Sequence, residues 1–240
     1  MVETSRQPEI ARRLANYIAA ARPGDLPEPV RLEARRAFFN IVGCMLGGAQ
    51  HEVIGLADGV LSEFSGPAQA TLLGRVRKAD VLHAALINCF GSSVHAFDDT
   101  HEQAVVHPSG PVAAAALAIS ERRHVTGADV LLAFALGVEA VCRLSKSISV
   151  PPAKGAMGWS PTGITAGVGA AVAAGKLLDL DRDRMHHAIG IALSQAAGFR
   201  AMFGSMCSSF MTAHGAVISR RDRVEVRGSK VKKSTNSACR

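Results

Sequence analysis

Small apolar residues recur at helical spacing along most of this 240-residue chain. Hydrophobic residues make up 48% of the sequence and aromatic residues only 5%, so Ala, Leu, Val and Gly carry the apolar content. A β-sandwich or a β-barrel would contain more β-branched and aromatic side chains. The pattern therefore predicts an all-α fold of closely packed helices, and the chain is long enough to bury a sizeable core.

The apolar spacing, together with the breaks between apolar segments, predicts the individual elements. Residues 69–73 form a short β-like run, and residues 144–158 read as a Pro-, Lys- and Gly-containing loop. Residues 201–216 are the start of a further element. The predicted helices span residues 8–22, 27–46, 53–64, 79–92, 110–122, 127–145, 161–178 and 182–197.

The formal net charge of +7 comes mainly from the end of the chain. Residues 217–240 contain eight Lys or Arg residues against Asp222 and Glu225, whereas residues 1–216 are close to neutral. The body therefore lacks the basic surface that a nucleic-acid partner requires, and we predict no nucleic-acid binding. We expect residues 1–216 to form a helical domain and residues 217–240, where the apolar periodicity ends, to be a disordered, non-native tail.

The cysteines indicate a reducing compartment. All five are scattered in apolar surroundings without a CxxC pair, which predicts free thiols in a cytoplasmic protein. Residues 1–24 carry charges throughout and do not resemble a signal peptide. The uncharged apolar run at residues 163–175 is too short and too rich in glycine to cross a bilayer, so we predict no membrane partner.

Titratable residues concentrate in the segment His95–His107. His107 is the first candidate, because an imidazole exchanges protons near neutral pH. Two ionised carboxylates in one dry pocket repel each other, so burying both Asp98 and Asp99 there costs free energy. We therefore expect one to face the site and the other to cap a helix or pair with an arginine. A solvated loop with ordinary helix caps is the alternative interpretation. The candidate catalytic residues are His107, Thr100, Asp98 and Asp99.

Two helix starts combine a polar residue with proline. Ser109 or Gly110 is placed to cap the helix that begins there, and Pro111 suits its first turn. Ser160-Pro-Thr-Gly163 has the same character. Backbone N–H groups at a helix N-terminus attract carboxylates, so two such starts would suit a di- or tricarboxylate substrate. The candidate substrate-binding residues are Ser109, Gly110, Ser160, Thr162 and His101.

A metal site is the alternative for the clustered Asp and His residues. Their spacing matches no zinc signature, and the chain has neither an HExxH nor a CxxC motif, so we predict no metal. The glycines of residues 163–175 raise the possibility of a nucleotide loop. No strand precedes them and no P-loop Lys-Ser/Thr follows, so we favour close approach of two buried helices instead.

Several of these motifs occur together, and in the same order, in one known family. Over about residues 8–216 the chain resembles the MmgE/PrpD family, which includes 2-methylcitrate dehydratase, cis-aconitate decarboxylase and iminodisuccinate epimerase. The motifs that carry the resemblance are Phe97-Asp-Asp-Thr-His101, His107-Pro-Ser-Gly110, Leu131–Glu139, Gly158–Gly163 and Ala188–Ala197.

The resemblance implies a fold and an activity. It implies a large all-helical domain with a smaller α/β lid domain, a homodimer, and no metal or organic cofactor. It places His107 and Thr100 at family active-site positions, with Asp98 and Asp99 in the same motif. The implied function is a lyase or isomerase that performs acid–base chemistry on a small di- or tricarboxylate.

The chain also departs from the family pattern at four positions. Ala96 stands where members often have Asp, and Ser160 where they usually have His. Ser208 and Met211 stand where they usually have Lys and His. Members also continue well beyond the position of residue 216, so we expect the lid domain to be lacking. The alternative function is therefore a catalytically impaired, truncated member without turnover.

Overall fold

The computed structural model describes residues 7–149 and 158–217, and these residues are predominantly helical. These ranges contain nine α-helices and one two-stranded sheet, with short 3-10 turns in several connections. The helices are α1 Gln7–Ala20, α2 Glu28–Gly48, α3 Glu52–Ser62, α4 Val81–Ser93, α5 Ser109–Arg122, α6 Gly127–Ser149, α7 Pro161–Leu177, α8 Arg182–Leu193 and α9 Ser208–Val217; the strands are β1 Ala70–Thr71 and β2 Lys78–Ala79.

The predicted all-α fold is confirmed, with differences at three places. Helix α6 continues to Ser149, beyond its predicted end at residue 145, so residues 146–149 of the predicted loop are helical. Helix α8 ends at Leu193 rather than at residue 197. The β-like run is only two residues long and pairs antiparallel with β2, a strand that the sequence pattern did not indicate.

The core consists of two clusters of buried side chains. The larger lies among α2, α4, α5 and α6, and the smaller joins α1 and α8 to α6 and α7. Helix α7 is buried along nearly its whole length. The segment between α4 and α5 is therefore anchored at both ends by buried helices. Representative core residues are Ile41, Met45, Phe90 and Phe134 in the larger cluster and Ile18, Leu132, Val172 and Met185 in the smaller.

Glycines allow α6 and α7 to approach each other closely. A Cβ on Gly169 would lie 2.3 Å from Val141 Cγ2 and 2.7 Å from the carbonyl oxygen of Gly137. No side chain fits at that distance, so the backbones of the two helices touch. The glycine-rich stretch is thus a helix-packing surface, as we expect from the sequence, and its partner is α6.

A buried charge cluster fastens the small sheet to the helices. Asp58 of α3, whose side chain is only 6% exposed, accepts a hydrogen bond from His83 Nε2 of α4 at 2.7 Å. Arg77 also donates to Asp58, and Arg75 Nη1 lies 3.4 Å from the second carboxylate oxygen. Burial opposes ionisation, but the hydrogen bonds from Arg77 and His83 prevail and lower the pKa of Asp58.

Among the residues that the structure describes, no helix has both the length and the apolar character that a membrane crossing requires. Cys44, Cys89, Cys142 and Cys207 are free thiols. The predicted tail, apart from Val217 at the end of α9, lies outside the described residues. The domain boundary at residue 216 and the cytoplasmic location stay predictions.

Candidate active site

The connection between α4 and α5 holds the candidate catalytic residues and is folded back on itself. A single antiparallel bridge pairs His101 with Val106, and the His101 N–H donates to the Val106 carbonyl oxygen at 2.9 Å. Nδ1 of the His101 ring accepts from the Ala104 N–H at 3.4 Å. His101 therefore shapes this loop, and its role in substrate binding stays a prediction.

His107 is held along one edge of its ring. Nδ1 lies 3.2 Å from the carbonyl oxygen of Asp99 and 3.2 Å from Thr100 Oγ1. Asp98 Oδ2 is 3.7 Å from the same nitrogen. The backbone N–H of His107 donates to Thr162 Oγ1 at 3.0 Å, which ties this segment to the start of α7. The structure thus brings the four candidate catalytic residues together around one imidazole.

The neighbours of Nδ1 determine which ring nitrogen is free. A carbonyl oxygen only accepts hydrogen bonds, so Nδ1 carries the proton that it donates to Asp99. The neutral ring then has its lone pair on Nε2, which makes no hydrogen bond within the described residues. The His107 side chain is 42% exposed. Thr100 Oγ1 lies on the same side of the ring, 3.2 Å from Nδ1.

Asp98 and Asp99 are both withdrawn from solvent but have different partners. The Asp98 side chain is 5% exposed and faces His107; burial raises its pKa, against the opposing effect of the imidazole. Asp99 Oδ2 accepts from the Ser109 hydroxyl at 2.6 Å. Asp99 Oδ1 is buried without a hydrogen-bond partner among the described residues. Burial also raises the pKa of Asp99, although hydrogen bonds from Ser109 oppose the shift.

The carboxylate of Asp99 occupies the start of α5. Both the hydroxyl and the backbone N–H of Ser109 stabilise it, so the anion at this helix N-terminus belongs to the protein. Of the two roles expected for the second aspartate, the structure shows attachment to a helix start rather than pairing with an arginine. Pro108 is the N-cap and α5 has no side-chain cap, so the prediction that Ser109 or Gly110 caps this helix is wrong.

Gly110 fixes the position of this helix start against α4. A Cβ on Gly110 would lie 2.6 Å from Ser92 Oγ. Glycine is therefore needed where α5 passes over α4. This contact explains the glycine of the His-Pro-Ser-Gly motif by packing, and a direct contact of Gly110 or Ser109 with substrate stays a prediction.

The start of α7 is built as the sequence indicates. Ser160 is the N-cap, and its hydroxyl accepts from the Gly163 N–H at 3.4 Å. Ser160 and Thr162 are each only 2% exposed, so their hydroxyls are used to hold the backbone. Trp159 stacks on Phe199 with ring centroids 4.2 Å apart. The starts of α5 and α7 are thus neighbours, and substrate binding by Ser160 and Thr162 stays a prediction.

The sequence analysis did not predict two of the contacts that hold the site together. Thr162 accepts the His107 N–H, and Ser109 holds Asp99. Both partners lie in other segments, so local spacing carried no signal for them. Within residues 7–149 and 158–217, no three His, Cys, Asp or Glu side chains are grouped to hold a metal ion. Metal independence stays a prediction.

Comparison with known sequences identifies the domain. The profile of the MmgE/PrpD N-terminal domain matches residues 12–220. The chain belongs to the MmgE/PrpD family. The resemblance carried by the His/Asp segment and the helix-start motifs is thereby confirmed, since all of them fall inside the matched range.

Curated relatives of this MmgE/PrpD chain occur in fungi and mammals. Cis-aconitate decarboxylase-like protein oryM of Aspergillus oryzae is 27% identical over 212 residues, which cover 84% of this chain and 43% of that protein. The cis-aconitate decarboxylase of Aspergillus terreus is 27% identical over 203 residues, 82% of this chain and 41% of that one. The human cis-aconitate decarboxylase is 29% identical over 197 residues, 78% of this chain and 40% of that one. The chain spans about two fifths of the length of these relatives.

The positions at which this chain departs from the MmgE/PrpD pattern have structural roles. Ala96 adopts a positive φ of 54° at the turn before Phe97, and Ser160 caps α7. Ser208 is the first residue of α9. Met211 is 8% exposed and lies close to Gly163. None of the four departing side chains carries a group that titrates near neutral pH.

Asp99→Asn is expected to raise the free energy of unfolding at pH 7 by about 1 kcal/mol. The asparagine oxygen still accepts from Ser109, but no charge is buried. Since the folded state raises the pKa of Asp99, the parent loses stability as the pH rises through that pKa. Below about pH 4 the carboxyl is protonated in both states, and the difference between parent and variant should close.

Urea unfolding at both pH values measures this difference. Asp183→Asn is the matched control, because its side chain is 70% exposed and its substitution should change stability by less than about 0.5 kcal/mol. An Asp99→Asn protein less stable than the parent at pH 7 would contradict the burial of this charge.

Proposed function

We propose that this chain carries the acid–base part of an active site that acts, as a lyase or isomerase, on a small di- or tricarboxylate. The observation that carries the proposal is the His107 ring, which is fixed through Nδ1 and open at Nε2. Relatives named cis-aconitate decarboxylases favour a lyase as the first choice. The proposed chemistry needs neither a metal nor an organic cofactor.

His107 Nε2 is placed to take a proton from a substrate carbon beside a carboxylate. Asp98, with Oδ2 3.7 Å from Nδ1, would stabilise the imidazolium, and the Asp99 carbonyl keeps the ring oriented. In an elimination, the electron pair of the broken C–H bond forms a double bond, and the leaving hydroxide takes the proton from the imidazolium and departs as water. In a decarboxylation, the ring first takes a proton from solvent at Nε2. The C–C bond then breaks, CO₂ leaves, and the electron pair that stays on the carbon accepts the proton of the imidazolium.

The carboxylates of the substrate need donors close to Nε2. Thr100 is exposed beside the ring and has a hydroxyl proton to donate. The half-buried His101 lies in the same loop. The hydroxyls of Ser109, Ser160 and Thr162 are engaged within the protein, so we propose that they set the backbone of the two helix starts behind His107.

Turnover of cis-aconitate, 2-methylcitrate and iminodisuccinate by the full chain tests the proposal. The reaction of cis-aconitate is measured by the release of CO₂, and that of 2-methylcitrate by the absorbance of the new double bond. The reaction of iminodisuccinate is measured by the loss of optical activity. We expect one of the three to react and citrate to compete with it. If none of the three is bound or turned over, the proposal is wrong.

A member that binds a polycarboxylate without turning it over is the second candidate function. It is favoured by the hydroxyl and thioether groups at Ser160, Ser208 and Met211, where the family pattern has titratable side chains. Losing one positioned acid or base typically lowers a rate by about 10²- to 10⁴-fold. Calorimetric binding of cis-aconitate without turnover would support this candidate, and turnover of any of the three compounds would exclude it.

A further inference from the structure

A cavity of about 360 Å³ lies between the last turn of α3, the loop that follows it and the start of α4. We call it the α3–α4 cavity. The described residues that border it include none of the candidate catalytic or substrate-binding residues. Pockets of about 300–1,000 Å³ are large enough for small organic molecules. The walls of this one are mostly apolar and consist of Leu61, Phe64, Pro67, Leu82 and Leu86.

One buried nitrogen at the α3–α4 cavity has no partner. His83 borders the cavity, and its side chain is only 3% exposed. Its Nε2 is bound to Asp58 at 2.7 Å, but its Nδ1 is buried and makes no hydrogen bond within the described residues. A buried polar atom without a partner costs free energy. A ligand group that forms a hydrogen bond with Nδ1 would remove that cost.

The contacts of Asp58 determine what Nδ1 can bind. A carboxylate only accepts hydrogen bonds, so Nε2 of His83 carries the proton that it donates to Asp58. Arg75 and Arg77 already supply two positive charges to this carboxylate. A second proton on the ring would bury another charge and leave an unpaired N–H at Nδ1, which is costly. A neutral ring with a lone pair on Nδ1 is therefore favoured, and it accepts a hydrogen bond from a ligand.

The second titratable group at the cavity disfavours ionic ligands. Asp80 Oδ2 accepts from the Gly66 N–H at 2.9 Å and from the Ser65 hydroxyl at 3.0 Å. Its Oδ1 accepts from the backbone N–H groups of Leu82 and His83. Burial opposes ionisation, but these hydrogen bonds prevail and lower the pKa of Asp80, so it is an anion at neutral pH. A ligand carboxylate would be repelled, and a ligand ammonium group would find both oxygens of Asp80 already engaged.

We propose that the α3–α4 cavity binds a small neutral phenol, whose hydroxyl donates to His83 Nδ1 and whose ring packs against the apolar walls. A phenol combines one hydrogen-bond donor with a rigid apolar body, which matches one acceptor among apolar side chains. Phe64 is 81% exposed at the border of the cavity, so its ring is free to stack on the ring of the ligand. This binding site does not depend on the proposed function.

Calorimetric titration of the full chain with p-cresol tests the proposal. We expect saturable one-to-one binding. Toluene is p-cresol without its hydroxyl and should bind about tenfold more weakly, because it leaves Nδ1 unpaired. The carboxylate p-toluate should bind more weakly than p-cresol, because Asp80 repels it. A chain that does not bind p-cresol, or that binds toluene or p-toluate equally well, would overturn the proposal.

Substitutions at the walls locate the bound phenol. Phe64→Ala removes an exposed wall and should weaken the binding of p-cresol and toluene alike. Leu82→Trp should abolish both, because the larger side chain fills the cavity from a half-buried position of α4. Phe39→Ala, which removes an 84% exposed ring of α2 away from this cavity, is the matched control and should leave the Kd unchanged. Circular dichroism checks that each variant is folded.

The nitrogen NMR resonance of His83 in the parent chain tests the hydrogen bond itself, without any substitution. Addition of p-cresol should shift the Nδ1 resonance, whereas toluene should not produce this shift. Binding of p-cresol that leaves the Nδ1 resonance unchanged, or that is unaffected by Phe64→Ala, would show that the phenol does not occupy the α3–α4 cavity in the proposed way.

Discussion

Replacing His107 with alanine is expected to lower kcat/KM of the proposed lyase or isomerase reaction by about 10²- to 10⁴-fold. The substitution removes the open Nε2 and leaves Asp98 without the imidazole that it faces. Because the His107 side chain is 42% exposed, the fold should tolerate the change. Binding gives a second measurement: an imidazole protonated at Nε2 donates a charge-assisted hydrogen bond to a carboxylate, and its loss should weaken tricarboxylate binding in calorimetry by about tenfold or more.

Two further variants show whether this loss is specific. His187→Ala removes an exposed imidazole from α8 and should leave both measurements unchanged. Thr100→Val should cost less than His107→Ala, since the Asp99 carbonyl still holds Nδ1 at 3.2 Å. A His107→Ala protein with the kcat/KM and the affinity of the parent would show that the imidazole takes no part in the reaction.

Asp58→Ala should lower the free energy of unfolding by about 3–5 kcal/mol, the usual cost of removing one partner from a buried ion cluster. His83, whose side chain is 3% exposed, would lose its acceptor. Arg75 and Arg77 would lose the carboxylate and keep only neutral acceptors, the Ala49 carbonyl and the Ser62 hydroxyl. The segment that contains β1 and β2 is held to α3 through this carboxylate. Urea unfolding measures the loss, and Asp58→Asn should fall between parent and alanine because it retains one acceptor.

An ion pair on the protein surface and the pH dependence of stability provide two controls for the Asp58 cluster. Glu33→Ala breaks an ion pair whose side chains are each 67% exposed, and should cost no more than about 0.5 kcal/mol. The folded state lowers the pKa of Asp58, so its stabilising effect is present above the unfolded pKa of about 4 and is lost as the pH falls through the folded value. The difference between parent and Asp58→Ala should therefore shrink in acid. A difference that grows in acid would contradict this role.

The helices could be predicted because their signals are local. The apolar spacing of α1, the Ser160 cap of α7 and the small residues of α7 all act within a few positions of one another. The end of α6 could not be predicted in this way, since Lys146, Ser147 and Ser149 are polar and resemble the loop that follows, yet they continue the helix. The pairing of β1 with β2 is likewise too short to leave an alternating pattern.

The candidate site shows the same division between local and distant contacts. The residue types of the His/Asp segment were sufficient to select His107, Thr100, Asp98 and Asp99, because acid–base chemistry needs these groups close together. Their partners were not predictable: Ser109 reaches back to Asp99, and Thr162 approaches from another helix. The Asp58 cluster also joins three separate segments, so no local sequence motif predicted it.

The most direct test of the His107 site is proton–nitrogen NMR of its imidazole, assigned by comparison with the His107→Ala protein. In the neutral ring we expect a protonated Nδ1, held by the Asp99 carbonyl, and an unprotonated Nε2. The Nε2 resonance should shift when a carboxylate that the chain binds is added. A proton on Nε2 in the neutral ring, or an Nε2 resonance that does not respond to the bound carboxylate, would show that this imidazole is not the proton-transfer group.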